Sequence, residues 1–152
     1  MIKDGTNEDI EYLLPLAKKM HETSIYRDLD YTDERIRTYA QKFVQSEDHY
    51  FRVYIKDEKP TAFFLGYITN YIWSYQILGC EEQLFTDNSS PLVGLKLTKD
   101  FEKWCKEKGA IEVNFSVTHS GKPNEKYNKF MERMGYKAVS YTHLRAHETD
   151  SH

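Results

Sequence analysis

At His49 the hydrophobic period of the chain changes from that of a helix to that of a strand, and this switch narrows the available folds more than any other feature. Two stretches before it carry apolar residues at helical spacing: Ile10, Leu13, Leu14 and Ala17, then Ile36, Tyr39, Ala40, Phe43 and Val44. Thr6 and Asp9 make a capping-box-like start to the first helix, and Thr32 suits the N-cap of the second. Pro15 is expected to interrupt the first helix, since it lacks an N–H and crowds the preceding turn. Ile2 and Lys3 suit a short leading strand. After His49, the residues Phe51, Val53 and Ile55 alternate with Tyr50, Arg52 and Tyr54. Asp57, Glu58, Lys59 and Pro60 then mark a turn, and Ala62 to Ser74 resumes as a strand. A helix pair followed by a hairpin excludes both an all-helical and an all-β chain.

Cys80 to Thr86 reads as a further strand, followed by a polar loop from Asp87 to Pro91 and a helix with Leu97, Phe101 and Cys105 on one face, closed by Gly109. Ile111, Val113, Phe115 and Val117 alternate with Glu112, Asn114, Ser116 and Thr118, which predicts a strand with one buried and one polar face. Lys122 to Met134 reads as a last helix with Tyr127, Phe130, Met131 and Met134 on its apolar side. Gly135 ends it and Tyr136 opens a final strand. The expected order is β-α-α-β-β-β-α-β-α-β, an α/β (α+β) chain. With no repeat or linker to divide it, residues 1–139 form one domain. The residues after Val139 resemble a peptide that arises when sequencing adapter is translated, so residues 140–152 are set apart as a non-native tail. His143, His147 and His152 therefore receive no metal role.

Composition excludes several function classes. The 39% hydrophobic and 14% aromatic content lies in periodic segments, as a folded chain requires. With 21 basic and 24 acidic residues interspersed and a net charge of −3, no basic block suits a nucleic-acid backbone or an anionic membrane. No signal-peptide core or membrane-length apolar run is present, which leads to an expected cytoplasmic location. The two cysteines, Cys80 and Cys105, have no CxxC spacing and no histidine pair to complete a zinc site; we expect reduced packing residues and no metal.

Three stretches resemble the GNAT acetyltransferases. Glu81-Glu82-Gln83-Leu84-Phe85-Thr86-Asp87 is similar to the fourth strand of that fold, and the resemblance implies that Leu84, Phe85 and Thr86 supply the edge that pairs with the pantetheine of acyl-CoA. Ser89-Ser90-Pro91-Leu92-Val93-Gly94-Leu95 stands where the family has its pyrophosphate loop and helix start. Gly94 matches a family glycine, Ser89 replaces the expected basic or amide residue, and Leu92 replaces the middle glycine. Because Pro91 has no N–H to give, the cradle would use the backbone of Val93, Gly94 and Leu95 with the hydroxyls of Ser89 and Ser90, and weaker CoA binding is expected. Asn124 and the Gly135-Tyr136 exit resemble the family's last helix; its thiolate-protonating tyrosine falls at Met131, with Tyr127 one turn earlier on nearly the same face.

The resemblance implies a mixed, mostly antiparallel sheet flanked by helices, and transfer of an acetyl group from acetyl-CoA to a primary amine on a small molecule or protein, in an enzyme that pairs as a homodimer. Amine attack needs a base, for which Glu81 and Glu82 are the candidates; on a regular strand they face opposite ways. Tyr127, with a phenol that suits donation to a thiolate, is the candidate acid, and at helical spacing with Phe130 and Met134 it also suits a core position. Tyr26, Tyr31, Tyr67, Tyr71, Trp73 and Tyr75 border the acceptor groove in the resemblance and equally suit hairpin packing. His119 and Ser120 lack the elbow motif of a hydrolase. The altered loop and Met131 leave open a second reading, a GNAT-like interaction module without catalysis.

Overall fold

A computed structural model describes residues 1–87, 90–115, 118–119, 122–123, 129, 131–133 and 135–136. The elements are β1 (Ile2–Asp4), α1 (Asn7–Thr23), α2 (Asp33–Val44), β2 (His49–Lys56), β3 (Lys59–Asn70), β4 (Ile77–Thr86), α3 (Pro91–Glu107) and β5 (Ala110–Asn114), in the expected order. A two-stranded ribbon, β6 (Thr118–His119) with β7 (Lys122–Pro123), follows. The strands of the main sheet lie in chain order, antiparallel except for the parallel pair β4–β5. Among the described residues, no helix is long and apolar enough to cross a membrane.

Alternation along β2 and β3 sends successive side chains to two different cores. Phe51, Val53, Phe63 and Leu65 pack under α1 and α2 with Ile10, Leu13, Leu14, Ala17, Ala40 and Phe43. Tyr50, Ala62 and Phe64 point the other way, onto Val93, Leu97, Phe101 and Trp104 of α3. The sheet is thus covered on both faces, which is why β3 reads as a continuous apolar run, Ala-Phe-Phe-Leu. Tyr50 is buried among Phe64, Phe101 and Trp104, with ring centroids 5.0–5.5 Å away, and its hydroxyl donates to Asp100 Oδ2 at 2.7 Å. Arg52 donates to the same oxygen at 2.7 Å and to Asp4 at 3.0 Å, joining β1, β2 and α3.

Several local expectations are corrected. Pro15 does not interrupt α1, which runs unbroken from Asn7 to Thr23; burial of Ile10, Leu13, Leu14 and Ala17 outweighs one missing hydrogen bond. β3 stops at Asn70 rather than Ser74, because Asn70 Nδ2 donates to Tyr75 O at 2.8 Å and Tyr71 N to Gln76 O at 3.2 Å, closing a turn from which β4 starts at Ile77. β5 ends at Asn114, and Ile111, expected on its buried face, is 63% exposed, because the β4–β5 register skips it between Ile77–Ala110 and Leu78–Glu112. Lys122 and Pro123 pair in the ribbon, so no helix starts there. Residues 129 and 131–133 are helical, and Gly135 closes that turn at φ +93°, with Tyr136 N donating to Met131 O at 3.0 Å. The final strand expected after Tyr136 lies outside the described residues.

Candidate active site: a fork between β4 and β5

The site is built by two irregularities in β4. The first is a bulge: Leu65 pairs with Gln83 and Gly66 with Glu81, so Glu82 is an extra residue in β4. The faces of the strand follow from its contacts. Gly79 and Gly66 lie against Cys105 and Phe101 of α3, and Leu84 packs in the α3 core. Gln83 Nε2 meets Met20 Sδ of α1 at 3.3 Å, and Phe85 packs under α1 and α2. The bulge thereby sets Glu82 and Gln83 on the same α1–α2 side, with Glu81, the cross-strand partner of Gly66, on the α3 side. The two glutamates face opposite ways, as expected.

The second irregularity is a fork. The described β4–β5 ladder ends at Cys80–Asn114, whereas β4 runs on six residues to Thr86. Leu84, Phe85 and Thr86 lie on this extension, all half-buried and still paired on their other edge with Phe64, Phe63 and Ala62 of β3. The end of β4 leads directly into α3, so the start of that helix stands next to the extension.

α3 begins with Ser90 as its N-cap, in extended conformation, and Pro91 in its first turn. The Ser90 side chain makes no capping hydrogen bond, and Val93 N reaches Ser90 O at 3.3 Å. Helix geometry commits the N–H groups of Gly94 and Leu95 to the helix's own ladder and Val93 N–H already meets Ser90 O, so the first-turn donor left for an outside partner is that of Leu92. Gly94 has another part: a β-carbon there would stand 3.2 Å from Leu84 Cδ2, so glycine lets the first turn of α3 close on β4. The Leu92 side chain is 60% exposed and fills no closed space. Ser89, Asn124 and Tyr127 lie outside the described residues; Met131, where the family tyrosine falls, is buried.

On the α1–α2 side Glu82 stands beside Tyr67, which the resemblance sets at the border of the acceptor groove, and Tyr39, which the sequence marks only as an apolar position of α2. Burial, and then the adjacent Glu82 carboxylate, raises the pKa of the Tyr39 phenol and holds it protonated. Tyr67 is raised by burial first, then by Cys80 and Glu82. Tyr39 carries only the helical period of α2, so the sequence does not distinguish it; the packing of α2 on the sheet brings it to Glu82. Of the other aromatics, Tyr31 donates to Leu14 O and Asp33 Oδ1 at 3.2 and 3.1 Å, a packing role. Trp73 and Tyr75 sit with Ile72 on the β3–β4 turn, exposed by 87, 95 and 85% respectively, at the closed end of the fork.

No family model matches the sequence, and no curated protein matches it significantly. Solved structures do match over nearly the whole chain. One is a transcriptional regulator from Bacillus halodurans, 14% identical with a TM-score of 0.74, covering 92% of this chain and 94% of that one. Another is an aminoglycoside N-acetyltransferase in complex with CoA, 15% identical with a TM-score of 0.72, covering 92% and 89%. A third is an aminoglycoside acetyltransferase from an uncultured soil metagenomic sample, in complex with sisomicin, 17% identical with a TM-score of 0.68, covering 93% and 92%. At these identities the likeness is one of architecture: the five-stranded mixed sheet between α1–α2 and α3 is the fold of the GNAT acetyltransferases.

Proposed function

We propose that the chain transfers an acetyl group from acetyl-CoA to a primary amine. The observation that carries this reading is the fork, which connects the start of α3 on one face of the sheet with Glu82 on the other. One of the structural neighbours was solved with CoA. In this chain the pyrophosphate would meet the first turn of α3 at the Leu92 N–H, with the hydroxyls of Ser89 and Ser90 as further donors. The pantetheine would follow the β4 extension over Leu84, Phe85 and Thr86, bringing the thioester to the α1–α2 side. Asn124 and Tyr127 would complete the thioester end of this path.

Between the two glutamates the geometry favours Glu82. It faces the open α1–α2 side, whereas Glu81 faces α3. Glu82 takes a proton from the acceptor ammonium; the freed nitrogen lone pair attacks the thioester carbonyl; the C–S bond breaks. The departing CoA thiolate takes a proton, for which Tyr127 is the proposed donor, and the proton that the attacking nitrogen sheds as the amide forms returns to the Tyr127 phenolate, leaving the acetamide, CoA thiol and the first proton on Glu82. The Tyr39 hydroxyl, hydrogen-bonded to Glu82, holds the carboxylate in place. Positioning the amine against the thioester supplies much of the rate.

Titration with acetyl-CoA and CoA, followed by thiol release with an amine panel, tests the reading. Glu82→Gln is expected to lower kcat on the order of a hundred-fold with acetyl-CoA affinity unchanged, the effect of removing a general base. A folded chain that binds neither acetyl-CoA nor CoA would sink the transferase reading. It would favour the second one, an interaction module, to which the exposed Ile72, Trp73 and Tyr75 give specific support.

A further inference from the structure

Cys80, Glu82, Glu112 and Asn114 share the α1–α2 side of the β4–β5 pair. Cys80 pairs with Asn114 and Leu78 with Glu112, and Glu82 lies beyond Cys80 on β4, its bulge opening toward α2. Glu82, Glu112 and Asn114 are exposed, so among the described residues no helix lies over this strip of sheet. Tyrosines flank it on the β3 side. Tyr67 faces Cys80 and Glu82, and Tyr71 donates from its hydroxyl to Glu112 Oε2 at 2.6 Å. The strip is electrostatically continuous: burial first, and also the carboxylates of Glu112 and Glu82 acting from either side, push the Cys80 thiol up against the lowering effect of its Tyr67 hydrogen bond. Arg35 approaches at the Tyr39 end.

Two carboxylates therefore stand at separate points of one open, aromatic-walled strip. Counting from Glu82 to Cys80, which the bulge shortens to between one and two residues of rise, across to Asn114 and two back to Glu112, at about 3.3 Å per residue, gives roughly 10–13 Å along the strands. A compact monoamine meets only Glu82. An elongated amine with a second ammonium can meet Glu82 and Glu112 together, its methylenes lying along the faces of Tyr67 and Tyr71. The Tyr71 hydroxyl fixes the Glu112 carboxylate ahead of binding, which reduces the ordering cost of that contact.

Resting on the acetyl-transfer reading above, we infer that the acceptor is a linear polycationic amine, with one nitrogen reacting at Glu82 and a remote ammonium held by Glu112. Glu112 is then a specificity-determining residue and Tyr71 a positioning residue. The strip gives a sheet-face site for the substrate's non-reacting end.

The test compares butylamine, putrescine and spermidine as acceptors of the full chain and of Glu112→Gln. The expected result is a kcat/KM order of spermidine over putrescine over butylamine. The spermidine-to-butylamine ratio should fall on the order of ten-fold in the variant, the loss of one charge-assisted contact. Tyr71→Phe should lower the same ratio by less. An equal kcat/KM for all three amines, or a ratio unchanged by Glu112→Gln, overturns the inference while leaving acetyl transfer standing. Titration with spermidine in the absence of acetyl-CoA separates the two claims. Binding weakened by Glu112→Gln supports the strip whatever the turnover, and no spermidine binding by the folded chain overturns it even where acetyl-CoA binds.

Discussion

Two residues show how closely this chain is fitted at single positions. Gly66 sits opposite the bulge, where a β-carbon would come within 2.4 Å of Phe101 Cε1. Phe101 is itself fully buried, so Gly66→Ala forces the ring or the sheet to move; a loss of about 1–3 kcal/mol in denaturant unfolding is expected. The second is Asp9, the N3 residue of the α1 capping box, which accepts from Thr6 N at 2.9 Å and from Lys3 Nζ at 2.6 Å. Burial acts to raise its pKa, and the bonds from Lys3 and Thr6 outweigh it, so the folded-state value lies below the ordinary one. Its contribution is complete above the unfolded pKa of about 3.9 and is lost as the pH falls through the lower folded value. Thr6→Ala should cost about 1 kcal/mol, and Asp9→Asn should flatten the acid limb of a stability–pH profile below about pH 5. Equal acid limbs in Asp9→Asn and the parent would refute the assignment.

At the scale of elements, the closeness of α3 to β4 decides whether the fork can hold a ligand. Gly94 allows that approach, and Thr98 Oγ1 reinforces the turn by donating to Gly94 O at 2.8 Å. Gly94→Val would push the helix start away from Leu84. We expect weaker acetyl-CoA binding by ten-fold or more, with a stability loss of about 1–2 kcal/mol; unchanged affinity would place the cofactor elsewhere. A different join ties α3 to β2 through Asp100, which serves both Tyr50 and Arg52. Burial, and then the bond to Asp100, raises the pKa of the Tyr50 phenol and keeps it protonated, so Asp100→Ala strands a buried hydroxyl and a half-buried guanidinium. A cost of about 2–3 kcal/mol in thermal or denaturant unfolding is expected, and a near-neutral result would show that water replaces the carboxylate.

For the whole molecule, the two tryptophans report on opposite environments. Trp104 is buried against Tyr50 and Phe101, and Trp73 stands exposed on the β3–β4 turn. An aqueous quencher should reach about half of the emission, and Trp73→Phe should remove the quenchable part. Protection of Trp73 in dilute solution would show instead that another molecule covers the turn. In that case sedimentation would distinguish the proposed homodimer from a heterologous partner.

Much of this architecture was legible in the sequence because it depends on local chemistry. Thr6 with Asp9, Thr32, the switch of period at His49 and the Gly109 stop each act within a few residues, and the order of elements through β5 followed from them. The opposed directions of Glu81 and Glu82 were legible for the same reason. Pro15 misled because its penalty is local while the burial that overrides it is tertiary. The ends of β3, β4 and β5 misled because pairing with neighbours, rather than alternation, sets where a strand stops. The candidate site depended most on tertiary structure. The bulge at Glu82, its meeting with Tyr39, the fork beyond Cys80 and the common strip with Glu112 all arise from the register between strands and the crossing of α2. A chain's own periodicity determines which face a residue takes, but register and packing decide which distant residues share that face. The sequence therefore determined the elements, and only the tertiary structure set Glu82, rather than Glu81, on the same side of the sheet as Glu112.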